Sequence, residues 1–445
     1  MKMGVRRTSV RQFLAHLLSS ALKAVDPEEA VRRHVRRRGS VLYIGSRAIH
    51  LDSRSRVMIV GAGKAAVPMA RALEHILGSH LHGGCVVTKY GYGGPTKRIQ
   101  VLEAGHPIPD QAGEAGAQRI LAIARGLNSN DLLFVALSGG ASSLLPAPPA
   151  GLNLTDKQRT TDVLLKSGAD IQAVNAVRKH LSAIKGGQLA EATKAHVETL
   201  VLSDVLGDDL ASIGSGVTAP DPTTFVDARA VLRQYRLWHK VPRPVRTHIG
   251  RGCRGEIRDT PKPGSRVFRR VQNEIVGNNQ AAVDAVSSTA WADDVTPFIL
   301  TTTLTGEARE AARVFGILAR QIVSRGRPLH RPCCIIAGGE LTVTVRGSGT
   351  GGRAQEFALA AAREIAGLKR VWVIGVGTDG TDGPTDAAGA VVDGATWQRA
   401  VSRGLNPARA LRDNDAYPLL RRLGHLIHTG PTGTNVNDLY LLLVL

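Results

Sequence analysis

One lysine stands where a strand should turn into a helix, in the run VMIVGAGKAAVPMA from Val57 to Ala70. Four apolar residues precede Gly61-Ala62-Gly63, and an alanine-rich run of helical spacing follows Lys64. The run fits the loose fingerprint G-x-G-x-x-G/A through Ala66. A dinucleotide site also needs an acidic residue after the second strand, to hold the ribose hydroxyls. Here that strand, GCVVT, leads into Lys89-Tyr90-Gly91 with no carboxylate nearby. A Walker A loop is excluded too, because its glycine spacing and the Ser/Thr after lysine are missing. What remains is an ammonium at a helix N-terminus, where backbone N–H groups and the macrodipole favour an anion. Lysine suits a mobile phosphoryl group there, as a point charge beside three oxygens. The competing reading is an exposed lysine on a surface helix.

Further polar clusters fall at expected strand ends, where open α/β sheets place ligands. LSGGASSLLPAP brings Ser138, Gly139 and Gly140 after a buried strand, a nest of N–H donors able to wrap a carboxylate or phosphate. It lacks the G-x-S-x-G elbow that a nucleophilic serine requires. VLSDVLGDDLASIGSG sets Asp204 just past a strand, able to accept a hydroxyl proton or hold magnesium. At least one of Asp208 and Asp209 is expected to cap a helix start. VGTDGTDGPTDAAG crowds Asp379, Asp382 and Asp386 among glycines. Carboxylates so close repel unless a cation sits among them, which makes magnesium the natural candidate. The alternative there is a turn using Asp for side-chain-to-backbone bonds. GGRAQEF opens a helix with Arg353, able to clamp a carboxylate or stabilise a transferring phosphoryl group. HTGPTGTNVNDL packs Thr434, Asn435, Asn437 and Asp438 into one loop that can read phosphates or a sugar, or simply cap a turn.

These groups need a scaffold, and the chain supplies an alternation of strands and helices. RVMIV, GGCVVTKY, DLLFVAL and VETLVLSDV read as strands, with helical segments at Gln111 to Arg125 and Ile171 to Lys194. That order predicts an α/β fold, a doubly wound, mostly parallel sheet with helices on both faces. In the second half, a helix over Gly306 to Arg325 precedes CCIIAGGELTVTVRG, read as strand, turn, strand. A helix from Arg353, the strand RVWVIGVG and the last strand DLYLLLVL complete a smaller mixed α/β domain. The expected division is residues 1–240, a basic connecting segment at 241–270, and residues 271–445.

At 445 residues, two or three domains are expected, and 43% hydrophobic with 4% aromatic residues suits helices packed on parallel sheets. The formal charge of +20 attracts anions. Between Ala228 and Glu274, thirteen Lys or Arg face only Glu256, Asp259 and Glu274. Aromatic residues are scarce there, so a solvated basic face, not a nucleic-acid site, is expected. The four cysteines show neither C-x-x-C spacing nor a histidine cluster, which points to a reduced, cytoplasmic setting. No run reaches the length of a membrane span. Arg6-Arg7 before FLAHLLSSALKAV resembles an export signal, but the polar interruptions predict an amphipathic helix resting on the body.

Taken in order, GAGKAA, GHPIPD, LSGGASSLL, VNAVRKHLSAIKGGQLA, LSDVLGDD, DPTTF, TPKPG, GNN, GEAREAA, GGELTVTVRG, GGRAQEFAL, GTDGTDGPTDAAG and TGPTGTNVNDL resemble the glycerate 2-kinases of the MOFRL type. The likeness runs from about residue 12 to the end. It implies a Rossmann-like N-terminal domain, a smaller MOFRL domain and an active site in the cleft between them. It also implies ATP-dependent phosphorylation of D-glycerate at its 2-hydroxyl with magnesium (Mg2+), by a monomer or homodimer without nucleic-acid or membrane partners. Carried over, the essential groups are Lys64, Asp204 and Arg353. Gly61, Gly63, Ser138, Gly139, Gly140, Glu340, Thr434, Asn435 and Asn437 are expected to contact substrate or nucleotide, and Asp379, Asp382 and Asp386 the metal. Ala354 stands where the family usually has asparagine. Two alternatives compete: an NAD(P)H-dependent hydroxypyruvate or tartronate semialdehyde reductase, and a catalytically idle anion-binding relative.

Overall fold

The computed structural model describes residues 9–52 and 54–445; Arg6 and Arg7 lie outside the described residues. Two compact units emerge. One is Pro27–Val276, and the other joins the described part of Met1–Asp26 to Gly277–Leu445.

The Pro27–Val276 unit carries a small antiparallel meander of β1 (Val35–Arg38), β2 (Val41–Ile44) and β3 (Arg47–His50). Its main sheet comprises β4 (Val57–Ala62), β5 (Leu81–Lys89), β6 (Ile99–Ala104), β7 (Leu132–Leu137), β8 (His196–Leu202) and β9 (Val271–Gly277), in the order β6-β5-β4-β7-β8-β9. The pairings from β6 across to β8 are parallel. Every residue of β7 is buried, as a continuous apolar run covered on both faces demands. The order of strands reverses around β4 and β7, so the turns after them open at a switch point where doubly wound sheets bind ligands.

Two sequence expectations change in this unit. The helix anticipated over Ile171 to Lys194 is two, Ile171–His180 and Gln188–Ala192, broken where Gly186 and Gly187 take left-handed φ of 60° and 81°. The 241–270 segment is no connector. Its Arg243–Cys253 helix buries Val245 and Ile249 against Leu164, Val177 and Phe225, so its arginines form the outer face of a packed helix.

The other unit is built on a mixed sheet of β10 (Thr296–Leu304), β11 (Cys333–Gly339), β12 (Val371–Gly377), β13 (Gly389–Asp393), β14 (Leu426–Ile427) and β15 (Asp438–Val444), ordered β10-β11-β15-β12-β13-β14. β10 and β11 are parallel, and β15 runs antiparallel between β11 and β12. The second strand expected within CCIIAGGELTVTVRG is absent; past Gly339 the chain makes only an isolated bridge between Thr342 and Glu307. The amphipathic Val10–Ala24 helix forms as expected and buries Phe13, Leu14, Leu17 and Ala21. It packs on the Asn279–Ala292 helix of this unit, not in the N-terminal domain where residues 1–240 placed it. No helix among the described residues is long and apolar enough to cross a membrane.

Candidate active site

In the Pro27–Val276 unit, the turns after β4 and β7 are stitched together. The Lys64 N–H donates to Gly139 O at 2.9 Å, and Ser138 N–H donates to Ala62 O at 3.1 Å. Ser138 is buried, and its Oγ accepts from Ala65 N–H at 2.9 Å. The close approach needs glycine: a Cβ on Gly63, whose φ is 134°, would lie 2.1 Å from Ser138 Oγ. Gly63 N–H is taken by Val87 O at 3.1 Å and Ala66 N–H by Gly63 O at 3.2 Å.

The amides of Gly63, Lys64, Ala65 and Ala66 are therefore all committed to protein acceptors. This corrects the expectation that they cradle an anion, and it removes the pyrophosphate cradle that a dinucleotide reading needs. Lys64 is left to act through its ammonium. Gly61 and Gly63 serve packing: a Cβ on Gly61 would meet Ala136 O at 2.2 Å. By contrast, no protein acceptor among the described residues takes the amides of Gly139 and Gly140.

Around that free pair three side chains gather. A Cβ on Gly139 would sit 2.2 Å from Asp204 Oδ2, so the carboxylate after β8 lies against this turn. A Cβ on Gly140 would sit 3.0 Å from His106 Nε2 and 3.8 Å from Lys64 Cγ. Burial, with the charges of Lys64 and Lys89 adding to it, lowers His106 to about 4, so the imidazole is neutral near pH 7. His106 sits two residues past β6, and its role went unread because GHPIPD shows no spacing specific to any chemistry. Asp209 is no site residue: it accepts from Ala211 N–H at 3.1 Å and from Ser212 Oγ at 2.6 Å in its own turn.

In the other unit, Arg353 opens the Arg353–Glu364 helix at the ends of β11 and β12. Its Nε and Nη2 donate to Asp438 at 2.5 and 3.0 Å, and its Nη1 donates to Glu340 Oε1 at 2.7 Å. These two carboxylates raise its pKa. Asn437 Nδ2 donates to Glu340 Oε2 at 3.1 Å, and Tyr440 donates its hydroxyl to Asp438 Oδ2 at 2.7 Å. Arg353, Glu340 and Asn437 are thus brought together, with Asp438 as their buried anchor. The guanidinium is one-third exposed and keeps two N–H groups for a ligand.

The loop residues separate. Thr434 is buried and donates to Val25 O at 2.7 Å, tying the loop to the end of the Val10–Ala24 helix, while Asn435 accepts from Asn437 N–H at 3.2 Å and holds the loop's own shape.

The three aspartates expected to bind metal do not form a set. Asp382 accepts from the N–H groups of Ala354 and Gln355 at 3.1 and 2.8 Å, capping the Arg353–Glu364 helix. Burial raises it to about 7, with Asp438 contributing. Asp379 accepts from Thr381 N–H at 3.0 Å, and the exposed Asp386 accepts from the Tyr417 hydroxyl at 2.7 Å. No cluster of three metal-binding side chains exists among the described residues. Asp379 and Asp382 make the side-chain-to-backbone bonds of the turn alternative, whereas Asp386 meets a tyrosine hydroxyl instead.

Comparisons with known proteins follow the same lines. Residues 13–250 match a domain of unknown function, DUF4147, and residues 333–438 match the MOFRL family. The glycerate 2-kinase of Pyrococcus horikoshii is 43% identical, over 98% of this chain and 97% of its own. The D-glycerate 2-kinase of Thermotoga maritima is 41% identical, over 98% and 99%. An Agrobacterium vitis relative, 39% identical over 98% and 95%, bears the name putative hydroxypyruvate reductase. The crystal structure of the Thermotoga maritima glycerate kinase superposes with a TM-score of 0.87 at 40% identity, over 98% of this chain and 100% of that one. With two family models in register and relatives aligned over nearly its whole length, the chain belongs to the MOFRL-type glycerate 2-kinases.

Proposed function

We propose that this protein transfers the γ-phosphoryl group of ATP to the 2-hydroxyl of D-glycerate, giving 2-phosphoglycerate and ADP. The observation that carries this reading is the Lys64–Gly139–Gly140–Asp204 grouping at the ends of β4, β7 and β8, together with full-length relatives named for this activity. Phosphoryl transfer asks a protein for positioning and charge neutralisation more than for covalent chemistry.

In this reading Asp204 accepts the proton of the substrate hydroxyl. That oxygen bonds to the γ-phosphorus as the bond to the β-phosphate oxygen breaks. The Lys64 ammonium and the amides of Gly139 and Gly140 meet the transferring oxygens. Neutral His106 can donate or accept a hydrogen bond without adding charge. In the other unit Arg353, oriented by Asp438 and Glu340, keeps two N–H groups able to bind an anion. Asp379, Asp382 and Asp386, each engaged by a different partner, do not fit a resident magnesium site.

The test is purified protein with ATP, magnesium chloride and D-glycerate, coupled to enolase. Immediate coupling means the 2-phosphate, whereas a need for added phosphoglycerate mutase means the 3-phosphate. Lys64→Ala should lower kcat roughly a hundredfold to a thousandfold. Wild-type turnover in that variant would end the assignment, as would NADH consumption with hydroxypyruvate and no kinase activity.

A further inference from the structure

Beside the Gly139–Gly140 turn lies a small recess of about 40 Å³, walled in part by Pro107, Ser142, Ser143, Lys157, Arg178 and Lys185. Ser142 and Ser143 continue the Gly139–Gly140 turn, and Pro107 follows His106, so this recess shares a wall with the site described above. Its three cations come from three places: the Leu154–Lys166 helix, the Ile171–His180 helix and the turn that follows it.

Lys157 and Lys185 are only 8% and 2% exposed. Among the described residues none of the three cations has an ion pair with a carboxylate. Lys185 Nζ donates to Ser142 O at 2.7 Å and Leu145 O at 3.1 Å, and Lys157 Nζ donates to Leu181 O. Among the described residues no acceptor bonds the Arg178 guanidinium, which is half-buried. Elsewhere the same fold buries a lysine differently, for Lys179 pairs with buried Asp221 at 3.3 Å.

Burying two lysines without counter-ions beside a half-buried arginine is costly, and fold stability alone gives little reason to collect all three. Burial and mutual repulsion pull Lys157 down to about 7 and Lys185 well below its usual range. Glu114 acts on Lys157 in the opposite sense, and His248 is a further group that feels its charge. An anion in the recess would relieve that repulsion and occupy the N–H groups left over.

We propose that Lys157, Arg178 and Lys185 form a small-oxyanion subsite that holds one end of a substrate while the other end reacts at Lys64 and Asp204. The proposal rests on the kinase reading for the identity of that substrate. The oxyanion is the carboxylate of the three-carbon hydroxy acid or a phosphate of the nucleotide.

The probe is inorganic phosphate on the full-length protein. Phosphate should raise the wild-type thermal midpoint, and the rise should vanish in Arg178→Ala while persisting in Lys64→Ala. Without phosphate, Arg178→Ala should melt no lower than wild type, because the side chain makes no hydrogen bond among the described residues. Kinetics then separate the sources: Arg178→Ala raises KM about tenfold or more for glycerate if the carboxylate lodges there, or for ATP if a nucleotide phosphate does. Arg178→Lys should recover part of the loss. An undiminished phosphate response in Arg178→Ala overturns the proposal, and so does a lost response with both KM values unchanged. If no glycerate phosphorylation is found yet the phosphate response depends on Arg178, the kinase reading fails and the anion subsite stands.

Discussion

Arg353 and Asp438 are locked by two hydrogen bonds, of 2.5 and 3.0 Å, across the first turn of a helix and the first residue of the central strand β15. The arginine that sequence motifs mark for substrate is thus also the counter-ion of a carboxylate only 4% exposed. Loss of Arg353 affects folding and turnover together.

Arg353→Ala should therefore destabilise the protein by about 3 kcal/mol, the low end for breaking a buried pair because the guanidinium is partly exposed. Urea unfolding checks this. A variant with unchanged midpoint but lost turnover would show that the ion pair contributes nothing to stability.

Gly139→Ala should leave the fold intact and lower kcat on the order of a hundredfold. Its new methyl would stand 2.2 Å from Asp204 Oδ2, forcing the carboxylate aside. Circular dichroism with steady-state kinetics measures both halves of the expectation.

Asp382 gives a pH dependence opposite in sign to that of an ordinary surface carboxylate. Its folded pKa is raised to about 7 from 3.8, so the folded state holds a proton that the unfolded chain releases between those values. Its contribution to stability is complete below pH 3.8 and is lost as pH rises through about 7. Asp382→Asn, which cannot ionise, should gain on wild type in urea midpoint from pH 5 to pH 8. An equal difference at both pH values would contradict the raised pKa.

His106 should titrate near 4 by NMR of its imidazole, not near 6.5. In Lys64→Ala its midpoint should rise, because one of the two cations opposing protonation has gone, yet stay below 6.5 because burial, the larger cause, remains. With the folded pKa depressed, this histidine adds stability above pH 6.5 that is lost as pH falls through about 4.

Local rules made much of this protein readable. The continuous apolar run of Leu132–Leu137 dictates a strand covered on both faces, and the glycine turns after β4 and β7 mark where such a sheet meets ligands. The capping box at Thr224 and Asp227 starts a helix at DPTTF wherever the segment packs. The ordered motifs by themselves also placed the chain in its family.

Tertiary structure decided what those groups do, because hydrogen-bond supply is a property of the partner, not of the residue. Whether the Lys64 turn cradles an anion depended on Val87, Ser138 and Gly139 taking its amides. The loop of three aspartates looks alike along the chain, yet one caps a helix, one closes its own turn and one meets a tyrosine. The same limit hid the anion recess. Nothing in the order of residues brings Lys157, Arg178 and Lys185 together; packing does so, burying the two lysines without a carboxylate partner beside a half-buried arginine.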